Sequence, residues 1–260
     1  MPNWRSFLKV DHIVVHIDDN PEILQDLKKE AERCGFPFEP GRGKGNRGVR
    51  VSNLWVGDQY FEIPQVFTKG NGGRAQSWVE RYNKGNRGIY CLYLRAKNLE
   101  RLQSDLAVRG IMSSMEKTTY KTFFGLFTVT KPWQYLRLPP IPGSDFEIGF
   151  FDCDEVAAKK VRPQMKPNSM HNGIMGISDV DIMLPDYSGA VTFLKALFPN
   201  LEVGEKQAKV ILENSELHFH QSPSQTLEVV LDAESINDGL VGKAFSFQNV
   251  TLRTKPVRAT

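Results

Sequence analysis

A carboxylate between two apolar residues recurs three times in this sequence, in the triplets FEI, FEI and LEV centred on Glu62, Glu147 and Glu228. Each triplet stands late in a run of strand-like segments. Neighbouring side chains of a strand point to opposite faces, so each carboxylate faces away from its apolar neighbours. It lies either on a solvated surface or inside a polar cavity of a curved sheet. In a cavity it can bind a cation or act as a base.

Histidines accompany these carboxylates in two places. His12 and His16 lie four residues apart in VDHIVVHI, so they share a strand face, and His16 is a candidate substrate contact. His218 and His220 share a face of SELHFHQS, at a spacing found in metal sites, and Glu228 on the following strand completes a second candidate metal site. The alternative for this second set is an exposed strand on which both histidines are solvated.

Two further segments suggest ligand contacts. The loop GRGKGNRGVR at 41–50 sets Arg47 among glycines, where amides and a guanidinium group could hold a carboxylate or phosphate. It lacks the Gly-Lys-Ser/Thr that opens a helix in a phosphate-binding loop, and the sequence shows no nucleotide or flavin signal. Aromatic residues are dense from 120 to 135, and we take Tyr135 as a candidate contact for an aromatic or apolar ligand. The alternative is that these rings form core.

The elements that must position these residues repeat along the chain. A strand at 10–17 ends where Asn20 caps a helix over 22–34, Gly35 stops that helix, and two strands joined by a turn follow. The same order restarts at 88–95, where Asn98 caps a helix and three strands follow up to 151. We therefore predict two βαβββ modules, at 7–67 and 87–152, within a domain at 1–153.

A charged, proline-bearing segment at 154–172 is predicted to be a linker. Beyond it, a strand at 177–184, a helix in AVTFLKALF and the strands KVILEN, SELHFHQS and TLEVVLDA predict a third βαβββ module within 173–260. A last strand-like piece at 244–254 has no helix after it, so a fourth module would be truncated. The predicted class is α+β with repeated βαβββ modules.

These features resemble the glyoxalase-like branch of the vicinal-oxygen-chelate superfamily. The resemblance rests on the opening DHIV at 11–14, the loop PGRG at 40–43 followed by Asn46-Arg47, and YFEI at 60–63. It covers residues 8–152 well and residues 174–232 only through the repeat. It implies that the first two modules close a curved mixed sheet around a cavity, with the third module added after them.

The resemblance also implies a site. First-strand histidines and last-strand glutamates bind the metal in that superfamily, which carries over to His12, Glu62 and Glu147 here. Tyr90 stands where many metal-binding members have a second histidine, and Tyr90 and Glu147 are the candidate catalytic residues. One histidine with two carboxylates suits Fe, Mn, Ni or Zn, although such a set binds less tightly than one with two histidines.

Composition narrows the classes of function. The net charge of +3 is too small for the basic stripe of a nucleic-acid-binding protein. No apolar stretch is long enough for a signal peptide or a membrane span, so we expect a cytoplasmic location. The three cysteines are widely spaced and form neither a disulfide framework nor a metal clip.

The sequence leaves three hypotheses about the function. The first is a small-molecule enzyme of the lyase, isomerase or dioxygenase type, with a divalent metal and an oxygen-rich or carboxylate substrate. The second is a metal-free binding protein, as the drug-sequestering bleomycin-resistance members of the superfamily are. The third is an interaction scaffold in which the third module, left with exposed strand edges, forms a homodimer.

Overall fold

The computed structural model of the protein describes residues 8–18, 20–40, 49–66, 76–122, 127–154, 156, 159 and 165–258. Within these ranges the chain forms two mixed sheets of seven strands each, with helices between the strands. The predicted α+β class with repeated modules is confirmed. No helix in this part of the chain has the length and apolar character needed to cross a membrane.

Sheet one is built from the first half of the chain, in the order β2-β3-β1-β4-β7-β6-β5. Its strands are β1 (Lys9–His16), β2 (Val49–Val56), β3 (Gln59–Val66), β4 (Gly88–Arg95), β5 (Ser114–Thr122), β6 (Phe127–Arg137) and β7 (Glu147–Cys153). Its helices are α1 (Pro21–Arg33), α2 (Gln76–Asn83) and α3 (Leu99–Val108). The first strand of each unit, β1 or β4, pairs in parallel with the last strand of that unit, β3 or β7. The first strands pair with each other in antiparallel fashion.

The second unit, β4-α3-β5-β6-β7, is the predicted βαβββ module. The first unit has two strands after its helix in the described residues, β2 and β3. Local sequence explains where both helices begin. The Asn20 side chain accepts a hydrogen bond from the Glu22 amide at 3.0 Å, and Asn98 accepts one from the Arg101 amide at 3.1 Å. Both caps were predicted.

Sheet two follows the order β13-β14-β12-β8-β11-β10-β9. Its strands are β8 (Ile174–Leu184), β9 (Glu202–Val203), β10 (Gln207–Ile211), β11 (Glu216–Gln221), β12 (Glu228–Ser235), β13 (Ala244–Phe247) and β14 (Val250–Pro256). A short 3-10 helix (Ser169–Asn172) precedes the sheet, and helix α4 (Tyr187–Leu197) follows β8. The last strand of this third unit is β11, because β11 pairs in parallel with β8.

This pairing differs from the expected one for the segment TLEVVLDA. We expected it to close the third unit, but it forms β12, which pairs antiparallel with β8 as β4 does with β1. The strand β12 therefore opens a fourth unit, β12-β13-β14, in which β12 and β14 are parallel and no helix intervenes. The piece expected as one strand at 244–254 is the hairpin β13-β14. Alternation within a strand shows which residues share a face and not which strand lies beside it.

One hydrophobic core joins the two sheets and the helices α1, α3 and α4. Phe36 and Phe61 contact Phe245 and Phe247 across it, with ring centroids 5.6 Å apart in each pair. The other face of each sheet does not contribute to this core. We call one the inner face of sheet one, which carries His12, His16, Tyr60, Glu62, Tyr90, Tyr93, Tyr135, Glu147 and Phe151. The other is the open face of sheet two, which carries Asp179, Asp181, Glu216, His218, His220, Asp232, Arg253 and Lys255.

Candidate functional site

The open face of sheet two brings two imidazoles and one carboxylate together. Asp181, His218 and His220 each offer a ligand atom, and all three atoms lie within 4.8 Å of one another. The register explains this, because β8 and β11 run in parallel with Asp181 directly opposite His218. His220 Nε2 lies 3.0 Å from Asp181 Oδ1. The two imidazole rings are nearly parallel, with an angle of 11° between their planes.

These three side chains are 30%, 25% and 32% exposed, in the order Asp181, His218, His220. They are therefore held by the sheet and still open to an ion and a small molecule. Imidazole nitrogen and carboxylate oxygen are suitable ligands for Zn, Fe, Mn and Ni ions, and a set of three leaves coordination positions for a substrate. We call Asp181, His218 and His220 the sheet-two triad.

A second group with similar spacing shares His218 and adds Asp179 and Glu216. Its carboxylates already have cationic partners in the chain. Asp179 contacts both Lys255 and Arg258, and Arg258 Nη1 donates to Glu216 Oε1 at 2.8 Å. Burial raises the pKa of Asp179, but its hydrogen bonds and the neighbouring charges outweigh burial and lower it overall. An ion would have to displace two side chains here, so the sheet-two triad is the better metal centre.

Glu228 does not join His218 and His220. It opens β12, is exposed, and accepts hydrogen bonds from Ser224 at 2.9 Å and Thr226 at 3.0 Å. The strand β8 lies between β12 and β11, which separates the backbones of Glu228 and His220 by about 10 Å. Asp181 takes the position expected for Glu228. The alternation in SDVDIM, which sets Asp179 and Asp181 on one face, was the available signal for it.

On the inner face of sheet one, His12 is fixed in orientation. Its Nδ1 donates to Asp11 Oδ1 at 2.8 Å, and Asp11 also contacts Arg95. The imidazole is fully buried and stacks between Tyr60 and Tyr93, at centroid distances of 4.8 and 4.6 Å. Burial raises the pKa of Asp11, but the hydrogen bonds and charges of His12 and Arg95 outweigh burial, so the net shift is downward. A carboxylate that orients a histidine in this way is common beside metal ligands.

The carboxylates expected beside His12 come from strands that are not neighbours. Glu62 on β3 and Glu147 on β7 have β1 and β4 between them in the sheet. Burial raises the pKa of Glu62, while Glu147 accepts a hydrogen bond from Arg137 Nη2 at 3.1 Å. Among the described residues, His12, Glu62 and Glu147 do not form a group with the spacing of the sheet-two triad.

The other predicted residues of this face have defined neighbours. Tyr90 lies at a register shift between β1 and β4, and its hydroxyl contacts Arg137, the same guanidinium that binds Glu147. The two candidate catalytic residues therefore meet through Arg137. Tyr135 packs edge-on against Tyr93 at 5.2 Å. Arg47 lies outside the described residues.

One solved structure supports the architecture of the chain. No protein-family model matches the sequence, and none of the curated proteins does. A hypothetical protein from Staphylococcus aureus of known crystal structure matches 96% of this chain and 99% of its own, with a TM-score of 0.71 and 13% sequence identity. A methylmalonyl-CoA epimerase from Mycobacterium tuberculosis matches 61% of this chain and 95% of its own, with a TM-score of 0.41 and 15% identity. The epimerase likeness is too low to compare residues.

The match to the Staphylococcus aureus protein extends over both sheets, so it supports the architecture of the whole chain. At 13% identity it shows the fold and not the chemistry. The first two units of the structure each pair their first and last strands in parallel and are joined through antiparallel first strands. The chain therefore has the fold of the Staphylococcus aureus protein, with two mixed sheets built from repeated units.

Proposed function

We propose that the protein is a divalent-metal-dependent enzyme acting on a small, oxygen-bearing substrate, with Asp181, His218 and His220 as the metal ligands. The observation that carries this proposal is the approach of their three ligand atoms to within 4.8 Å of one another, on side chains that are a quarter to a third exposed. When bound there, Fe, Mn, Ni or Zn would act as a Lewis acid and stabilise negative charge on a substrate oxygen.

A nearby arginine, Arg253, favours a substrate with a carboxylate group. Arg253 Nη2 lies 3.9 Å from Asp181 Oδ2, and its guanidinium is oriented by two hydrogen bonds to Asp232, at 2.7 and 3.0 Å. Its side chain is 47% exposed, so it remains open to a ligand beside the triad. A guanidinium held in this way can orient a carboxylate group next to the metal. Arg253 thus takes the anion-binding role that the sequence suggested for Arg47.

The direct test is a titration of the metal-free protein with Mn, Fe, Ni and Zn ions, read by calorimetry and elemental analysis. We expect one ion per chain, and His220→Ala to weaken binding about 100-fold, since it removes one of three ligands. His171→Ala is the matched control, because His171 is an exposed histidine in the 3-10 helix. Absence of binding, or binding lost in His12→Ala and kept in His220→Ala, would contradict the proposal.

A metal-free binding protein is the second candidate, and the rings on the inner face of sheet one favour it. His12 is surrounded by Tyr60, Tyr93, Tyr135 and Phe151, with all four ring centroids between 4.6 and 6.2 Å from its own. Such a surface suits an aromatic or apolar ligand. Saturable quenching of tryptophan fluorescence by an aromatic ligand, equal with and without a chelator, would support this candidate. An effect that depends on added metal would count against it.

A further inference from the structure

Buried polar atoms without hydrogen-bond partners concentrate near the inner face of sheet one. Of seven such side-chain atoms among the described residues, four belong to His12, His16 and Arg81. His16 is the most unusual, because it is 1% exposed and neither ring nitrogen has a hydrogen-bond partner in the described part of the chain. Buried polar groups are nearly always hydrogen-bonded, so an unpaired imidazole suggests that a ligand or water completes it.

Arg81 and His16 both lie against the ring of Tyr90, and Arg81 is held in place by hydrogen bonds to backbone carbonyl groups. It comes from α2 and approaches the ring of Tyr90, with its guanidinium carbon 5.1 Å from the ring centroid. The ring of His16 lies 5.2 Å from the same centroid. Arg81 donates to the carbonyl oxygens of Ile89 at 3.1 Å and Asp145 at 3.2 Å, which leaves its buried Nε–H without a partner. The imidazole of His16 and the guanidinium group of Arg81, each with an unpaired nitrogen, therefore both lie against the ring of Tyr90.

The charge near His16 is positive. The carbonyl oxygens that hold Arg81 carry no net charge, and the Asp145 carboxylate, 3.7 Å away, is 66% exposed while the Arg81 side chain is only 10% exposed. Burial lowers the pKa of Arg81, and the charges of Asp145, Tyr90 and Glu147 oppose that shift without reversing it. Burial first, and then the charges of Arg81 and Arg87, lower the pKa of His16 to about 3. His16 is therefore neutral near pH 7, with one N–H donor and one acceptor nitrogen.

We infer that His16 and Arg81 form a binding site for a small carboxylate, separate from the sheet-two triad. The two carboxylate oxygens accept from Arg81 Nε–H and from the N–H of His16, and the negative charge compensates the guanidinium. Trp78, also on α2, closes the site from one side, with its ring 5.7 Å from that of His16. Because His16 is almost fully buried, we expect a ligand no larger than formate or acetate, or the carboxylate end of a larger molecule.

The test is a titration of the full-length protein, labelled with 15N at histidine, with sodium formate and sodium acetate. Sodium chloride at equal ionic strength is the control. We expect a saturable shift of the His16 ring nitrogens, assigned with His16→Gln, that is retained in Arg253→Lys. Arg81→Lys, which keeps the charge and removes Nε–H, should weaken binding roughly tenfold. Arg33→Lys is the matched control, because Arg33 is 58% exposed and pairs with Glu30 on the surface.

The inference is overturned if the His16 nitrogens of the wild-type protein do not respond to either anion, which would assign the unpaired atoms to buried water. It is also overturned if folded Arg81→Lys binds as tightly as wild type. Thermal unfolding of each variant shows whether it is folded. If Arg81→Lys is not, the wild-type titration and Trp78→Phe, in which we expect a changed affinity, decide the matter. None of these readouts depends on metal.

Discussion

The two sheets have the same arrangement of strands, but the faces that lie outside the hydrophobic core differ in how accessible they are. Each joins a three-stranded unit to a four-stranded unit through antiparallel first strands. In sheet one the histidine of the first strand, His12, is fully buried between two tyrosines. In sheet two the histidines lie on the last strand of the third unit and are a quarter to a third exposed. The same plan thus gives a packed face in one sheet and an accessible ligand set in the other.

The difference shows that a matching position in a repeated fold does not by itself make a site. His12 has an orienting carboxylate, Asp11, but its flanks are occupied by rings. The sheet-two triad has no aromatic cover among the described contacts, and its carboxylate and imidazoles face the same space. We therefore expect substitutions among the residues packed around His12 to change mainly stability, and those in the triad to change mainly ligand binding.

The largest effect should come from Tyr93→Ala. The Tyr93 ring is 7% exposed, stacks on His12, and lies so close to β7 that a side chain at Gly149 would come within 2.6 Å of it. We expect a loss of about 3–5 kcal/mol in the free energy of unfolding, measured by urea denaturation. His218→Ala should change it by less than about 1 kcal/mol. Equal losses would remove the contrast between the faces.

Asp11→Asn should have the next largest effect. It removes the negative charge of a buried carboxylate that pairs with Arg95 and accepts from His12, and we expect it to cost about 3 kcal/mol at pH 7. The pKa of Asp11 is lowered by folding, so its contribution is present above about pH 4 and is lost as the pH falls further. Asp181→Asn, at a residue 30% exposed, is the matched control and should cost less than about 1 kcal/mol. A control as damaging as Asp11→Asn would contradict this account.

The pH dependence of stability should also separate the two faces. The pKa of His16 falls from 6.5 in the unfolded chain to about 3 in the folded one. Its contribution is therefore complete above pH 6.5 and is lost towards pH 3, with a slope of up to about 1.4 kcal/mol per pH unit. His16→Gln should flatten the curve of unfolding free energy against pH in this range. His171→Gln, at an exposed histidine, should leave the curve unchanged, and a curve equally steep in His16→Gln would contradict a buried neutral imidazole.

The smallest effect is expected for Glu228→Gln. Glu228 is exposed on β12 and bonds only with nearby hydroxyl groups among the described contacts. We expect a change below about 0.5 kcal/mol in stability and no change in metal affinity. A loss of metal binding in this variant would restore the ligand set that the sequence suggested and would argue against Asp181.

Much of the fold could be predicted from local sequence. Asn20 and Asn98 mark helix starts because their side chains bind free amides, and Gly35 and Gly110 follow the helices with φ of +87° and +80°. The pairing of β12 could not be predicted in the same way. Its partner is chosen by packing between distant segments, and the sequence of TLEVVLDA fits either neighbour.

The candidate site was predictable in part for the same reason. His218 and His220 share a face by alternation alone, and the structure sets them side by side. Their carboxylate depends on which strand adjoins β11, and so Asp181 replaced Glu228. The irregular register near Tyr90, which brings its ring against His16, likewise has no local signature.

Diffraction from crystals grown with Mn or Zn ions, with data collected to record anomalous scattering, tests the central claim most directly. The account predicts an anomalous peak about 2 Å from the nitrogens of His218 and His220 and from a carboxylate oxygen of Asp181. A peak beside His12 and Glu62 instead, or crystals with no peak at the triad under saturating metal, would contradict it.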